Sequence, residues 1–271
     1  MNPVFMLKAF KKENKVLLAE LVRTDFKLRY QGSVLGYAWS LLRPLLMFLV
    51  LYIVFAEFLR FGDAIPNFPI YLLLGIVLWQ FFSDMTNQGL GAIVGRGDLI
   101  RKIRIPRWLI IVSTSVSAFI NLGLNLVVVG VFIAISGMDL LVTSIWLPLI
   151  ILEIYALGLG LSLFLSAAYV KYRDVSYIWE VVMQAGFYAT PIIYPLTLIT
   201  SLTFQKLLLM NPMAQTIQDA RYTVVTHETL TIHNVFNNDL YRLIPISISL
   251  AFLILGVWYF RREAKNFAEN I

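Results

Sequence analysis

Residues 108–138 run for 31 positions without one charged side chain. A helix needs about 20 mostly apolar residues to cross the ~30 Å hydrocarbon layer of a bilayer. This stretch exceeds that length, and a water-facing helix would carry a charged stripe along it. Five more segments share the pattern, at about 45–58 (led in by Leu41, Leu42, Arg43 and Pro44), 69–83, 140–170, 181–198 and 244–260. The segments at 45–58 and 69–83 are short for a full crossing. Only 14% of the 271 residues are charged and 59% are hydrophobic, whereas soluble domains carry about 25% charged residues. The expectation is an all-α polytopic membrane protein with six transmembrane helices, not a soluble enzyme. Its parts are a cytoplasmic N-terminal segment over 1–40, a six-span bundle over 41–260 and a tail over 261–271, forming one domain over 1–271.

The scarce cations set the orientation. Eighteen of the 22 Lys and Arg fall before the first span, between spans two and three, between four and five, or after the sixth. The alternate loops hold only Arg60, Lys206, Arg221 and Arg242. Cytoplasmic loops are the Lys/Arg-rich ones, so both termini are expected in the cytoplasm. The first 40 residues hold no short apolar core followed by a small-residue cleavage site, the mark of a signal peptide; the first span is expected to direct membrane insertion.

Between the spans, residues 13–30 place Leu18, Val22, Phe26 and Tyr30 at four-residue steps, with Leu17 and Leu21 beside them and Asp25 i,i+4 from Arg29. This predicts an amphipathic helix lying along the cytoplasmic membrane surface with its cations toward anionic headgroups; the alternative is a plain cytoplasmic helix packed on the spans. Asp98 stands where it can cap a two-turn helix that Pro106 ends, a short element offered to a cytoplasmic partner. Gly91 and Gly95 have the GxxxG spacing of close helix packing. Pro191 and Pro195 must bend or end the fifth helix near residues 190–194. After it, Asn211 and Pro212 suit a helix cap and first position, and an apolar run at 207–210 is too short to cross. Two short helices dipping into the outer leaflet are expected there.

Catalytic chemistry is sparse. His227 and His233 do not share a helical face, and no HExxH or GxxxxGK[ST] occurs, so no metal, nucleotide or other cofactor is expected on this chain. If ATP drives it, another subunit binds the ATP. Glu153 is the one acid well inside an expected span and so a functional candidate; Asp84 and Glu57 are expected near span ends. Nucleic acid is a poor partner for a charge of +6 arranged in this way. The aromatics Phe48, Tyr52, Phe55, Phe187 and Tyr188 have faces suited to sugar rings.

The stretch Lys27-Leu-Arg-Tyr-Gln-Gly-Ser-Val-Leu-Gly-Tyr-Ala-Trp-Ser-Leu-Leu-Arg-Pro-Leu45 resembles the entry signature of type-2 ABC permeases that export polysaccharides such as O-antigen and teichoic acid. Arg29, Tyr30, Ser33, Leu35, Gly36, Trp39, Leu42, Pro44 and Leu45 match it. In order there follow Gly75 with Trp79, Phe81 and Phe82; 99–106; Tyr172-Arg173-Asp174; Thr190-Pro191 with Tyr194; and Asn211-Pro212 with Arg221.

The resemblance implies a permease homodimer around a conduit, driven by two copies of a nucleotide-binding ATPase subunit that carries ATP and Mg. The ATPase would contact Arg23 and Lys27 on the N-terminal helix, and Asp98, Leu99, Ile100, Arg101, Lys102 and Arg104. Arg29, Tyr30, Gly36 and Arg43 would meet the diphosphate of the lipid-linked polysaccharide, and the five aromatics would line its path. Pro191, Pro195, Asn211, Pro212 and Arg221 would shape the external gate. Other readings are a type-2 exporter of a drug or another lipid and a membrane-embedded lipid-carrier transferase, for which Asp174 and Glu180 make a poor metal cluster.

Overall fold

The computed structural model describes residues 12–30, 32–60, 65–102 and 105–267. These are mostly helical, with no strand among them. The helices are α1 (Lys12–Tyr30), α2 (Trp39–Tyr52), α3 (Phe68–Ala92), α4 (Gly97–Lys102), α5 (Arg107–Ser136), α6 (Leu147–Lys171), α7 (Val175–Ala189), α8 (Leu202–Leu209), α9 (Pro212–Val224), α10 (Ile232–Phe236) and α11 (Leu243–Glu263). A π-helical segment, Ile53–Phe58, prolongs α2.

Five helices, with their flanking turns, are long and apolar enough to cross a membrane: Gly36–Phe58, Phe68–Ala92, Arg107–Ser136, Val142–Lys171 and Asp239–Glu263. The segment expected at 181–198 differs. Its helix, α7, has 15 residues and ends at Thr190, whose backbone is extended. At 1.5 Å per residue that is about 22 Å, short of the hydrocarbon thickness. Pro191 and Pro195 lie immediately beyond, as their missing donors require.

The second span is longer than its pattern suggested, reaching Ala92 rather than residue 83. Asp84 therefore lies inside α3 and not at a span end; it is half-buried and accepts a hydrogen bond from Gln80 Nε2 at 2.7 Å. Within the chain α3 is the central rod. Some 78% of its most apolar window is buried, against 11% for α2, and it touches α2, α5, α6 and α9. A helix apolar on all sides belongs in such a position, and the face α2 leaves uncovered is apolar as well.

The closest helix approach is where α6 crosses α11. A Cβ on Gly256 would run into the Gly160 carbonyl, and one on Gly160 would run into the Leu253 backbone. Small residues let backbones meet in this way. Gly91 and Gly95, whose spacing suggested this role, have open space where a Cβ would stand, so the GxxxG reading is corrected.

Gly256→Val should therefore cost about 3 kcal/mol, the upper end of overpacking costs, seen as loss of monodisperse protein or a lowered Tm in detergent. Gly91→Ala should leave Tm unchanged.

Candidate functional site

The buried polar and charged contacts gather at the two ends of α3. At its N-terminal end sits α9, a helix buried along its whole length except at Tyr222, although it contains Gln215, Thr216, Gln218, Asp219, Arg221 and Thr223. Asn211 caps it, its side chain accepting from the Met213 amide at 3.0 Å, and Pro212 takes the first position, which needs no donor. Buried polar groups need partners, and most here have them. Thr216 Oγ1 donates to the Pro212 carbonyl at 2.8 Å, and Tyr71 Oη to Gln218 Oε1 at 3.4 Å. Thr143 and Ser144 donate to the Thr223 carbonyl at 2.9 and 3.1 Å.

Arg221 organises this end. It is fully buried. Its Nε donates to the Tyr71 carbonyl at 3.0 Å, Nη1 to the Pro191 carbonyl at 2.6 Å, and Nη2 to the Ile192 carbonyl. The guanidinium carbon lies 3.7 Å from the centre of the Tyr71 ring, within cation–π range. Gly75 makes the room, since a Cβ there would strike the guanidinium. One side chain thus joins α9 and α3 to the backbone break after α7. Its planar fork suits several acceptors held at fixed positions.

At the other end of α3, α1 lies against α5 with Leu21 buried. Asp25 forms an ion pair with Arg96, in the turn just before α4. Ser113 Oγ on α5 accepts from Arg96 Nη1 at 3.3 Å and lies 3.3 Å from the other Asp25 oxygen. Burial lowers the Arg96 pKa, and the Asp25 carboxylate is the counter-charge that such a site requires. Asp25 thus reaches across to Arg96; the side chain of its i,i+4 neighbour Arg29 lies outside the described residues.

Around this tie, Arg23 and Lys27 on α1 and Asp98, Arg101 and Lys102 on α4 are exposed. Leu99 and Ile100 are half-buried, Ile100 against a cluster that includes Ile93, Ile110 and Phe267. Asp98 is the second residue of α4, inside its first turn and not at the cap; its charge still favours that end of the helix. Arg104 lies outside the described residues.

The remaining site residues are dispersed. Tyr30, like Arg29, has a side chain outside the described residues. Gly36 begins a 3-10 turn with φ +50°, its amide donating to Ser33 Oγ at 3.2 Å. Arg43 is exposed on α2, next to the buried Pro44. Among the aromatics, Phe48 is buried, with its ring 5.5 Å from Phe132, and Phe187 is buried 6.0 Å from Trp79. Tyr52 and Phe55 are partly buried, whereas Tyr188 is exposed. Pro191 and Pro195 are buried beside the break and Asn211 is exposed.

Sequence reasoning did not single out Tyr71, Asp25, Arg96 or Ser113 as site residues. Arg96 counted only as one of many cations and Asp25 as half of a local pair. Only Arg221 with Gly75 carried a signal, as separate pieces of the family pattern.

Residues 17–225, from within α1 to the end of α9, match the family described as ABC-2 type transporter. The chain is 32% identical over 257 residues to the O-antigen export system permease protein RfbA of Myxococcus xanthus, covering 94% of this chain and 95% of that protein. It is 27% identical over 254 residues to the protein of the same name from Klebsiella pneumoniae, covering 93% and 94%. It is 25% identical over 218 residues to the polysialic acid transport protein KpsM of Escherichia coli, covering 78% and 82%.

Replacing Arg221 with Met should orphan the buried Pro191 and Ile192 carbonyls, at about 1 kcal/mol or more each, and lower Tm markedly; Arg221→Lys, with fewer donors, should fall between. Asp25→Ala should leave the Arg96 charge unpaired and speed amide hydrogen exchange across α1 about tenfold.

Proposed function

Because this chain belongs to the ABC-2 type transporter family and matches O-antigen export permeases over nearly its whole length, we propose that it is the permease subunit of an exporter moving lipid-linked polysaccharide across the bacterial inner membrane. The match along almost the full length of both proteins carries this reading, because it includes both ends of α3 and the break after α7. Two copies of the permease act with two copies of an ATPase that holds the ATP and Mg. The exposed apolar face of α2 supports cover by a second copy or by lipid.

In this reading both termini are cytoplasmic, as the distribution of Lys and Arg supports. The sixth crossing is made by α7 and its broken continuation, and α8 and α9 are re-entrant from the outer side. Irregular backbone at membrane depth persists where protein satisfies its polar groups, and Arg221 does this for Pro191 and Ile192. The ATPase docks on Arg23, Lys27 and the 98–104 segment. ATP-driven movement there acts through the Asp25–Arg96 tie on α3, whose far end, about 30 Å away, holds the Arg221 brace. Arg29, Tyr30, Gly36 and Arg43 receive the lipid diphosphate; charge-assisted hydrogen bonds from arginine suit that group. Tyr52, Phe55 and Tyr188 are the aromatics with surface left to meet sugar, while Phe48 and Phe187 support them from beneath.

Replacing Arg101, Lys102 and Arg104 together with Glu should abolish co-purification of the ATPase while leaving the permease monodisperse and membrane-inserted. Intact complex with normal export would refute the docking assignment.

A further inference from the structure

On the side of α9 turned from Arg221's contacts, a cavity of about 640 Å³ opens between α6, α9 and α11, a volume typical of small-molecule sites. Its rim is apolar and exposed, with Trp146, Leu149, Leu152 and Leu250 turned outward, so it faces hydrocarbon. Its floor is polar. Glu153 is six residues into α6 and Ser249 six residues into α11, which places both about 9 Å below the starts of their helices.

Four polar atoms on this floor have no hydrogen-bond partner among the described residues: Glu153 Oε1, Gln215 Oε1, Ser249 Oγ and Arg242 Nε. Ser249 is 1% exposed and Gln215 2%. Buried polar atoms without partners are costly, and here four converge on one cavity. The rest of the network is already engaged. Gln215 Nε2 donates to Asp219 at 2.6 Å. The two terminal nitrogens of Arg242 pair with Asp219 at 3.3 Å and Asp239 at 3.7 Å, and Asp239 also meets His233 at 3.0 Å. The cavity is lined by two carboxylates, Glu153 and Asp219, and one arginine, Arg242, so it holds more acid than base. Two of its vacant atoms are pure acceptors, and Ser249 Oγ also accepts.

We infer that this cavity binds the head of a phospholipid carrying a primary amine. The ammonium has three N–H donors for Glu153 Oε1, Gln215 Oε1 and Ser249 Oγ, and the phosphodiester has acceptors for Arg242 Nε–H. The apolar rim selects an amphiphile over a soluble amine. A trimethylated ammonium has no N–H to give and is excluded by the same chemistry. The site lies in the leaflet that holds the starts of α6 and α11, which is the outer leaflet under the topology proposed above. The headgroup preference does not depend on that topology.

The test is native mass spectrometry of the full-length chain purified with its ATPase. The complex is supplied with phosphatidylethanolamine, phosphatidylcholine or phosphatidylglycerol of identical acyl chains. Phosphatidylethanolamine should be retained about tenfold more than phosphatidylcholine. Ser249→Ala and Glu153→Gln should each remove most of that preference. Should Glu153→Gln not fold, the wild-type preference and Ser249→Ala decide the matter. Equal retention of the first two lipids, stronger retention of phosphatidylglycerol, or a preference intact in the folded variants overturns the inference. The leaflet is read separately, by thiol labelling from outside of a cysteine placed at 233 in a chain that has none. Labelling only from the cytoplasmic side would overturn the topology and leave the headgroup chemistry standing.

Discussion

A helix that stops inside an apolar layer leaves carbonyl groups that hydrocarbon cannot satisfy. In the topology proposed above, the break after α7 is such a stop, and Arg221 answers it. The guanidinium supplies donors to the Pro191 and Ile192 carbonyls and to Tyr71 on α3, and it rests on the Tyr71 ring. A buried arginine without a carboxylate is costly; three carbonyls and an aromatic face offset that cost. The rest of the α9 end follows from this arrangement. Position 75 must be Gly, α9 must be buried against α3 and α6, and the short helices on either side are held to the bundle.

The same rod carries the second tie. From Tyr71 to Ala92, α3 is about 30 Å of uninterrupted helix, and just past its end Arg96 grips Asp25 of α1. Packed interiors transmit displacement because they are dense, and α3 is the most enclosed of the five long helices. A partner that moves α1 and α4 therefore acts on the element that bears the Arg221 brace.

Much of this was legible in the sequence wherever the signal is local. The long apolar helices, the amphipathic pattern of α1, the break at Pro191 and the cap at Asn211 all follow from neighbouring residues. What escaped depends on residues far apart in the chain. Arg221 meets Tyr71 across 150 positions, and nothing in the local pattern distinguishes it from the other cations of its side. Asp25 has a plausible local partner but takes Arg96. The glycines with a helix-packing spacing, Gly91 and Gly95, face open space, whereas Gly160 and Gly256, on different helices, make the close crossing. Burial of Phe48 and Phe187 was equally invisible, because periodicity says that a helix has an inner face without saying which helix is innermost.

The most direct measurement of the central claim is transport itself. Inverted membrane vesicles containing this chain and its ATPase would be loaded on the outside with lipid-linked polysaccharide, and protected polymer would be quantified with and without ATP. The account predicts ATP-dependent accumulation inside the vesicles that disappears when this chain is omitted. Equal protection without the chain, or with it but without ATP, would contradict the account.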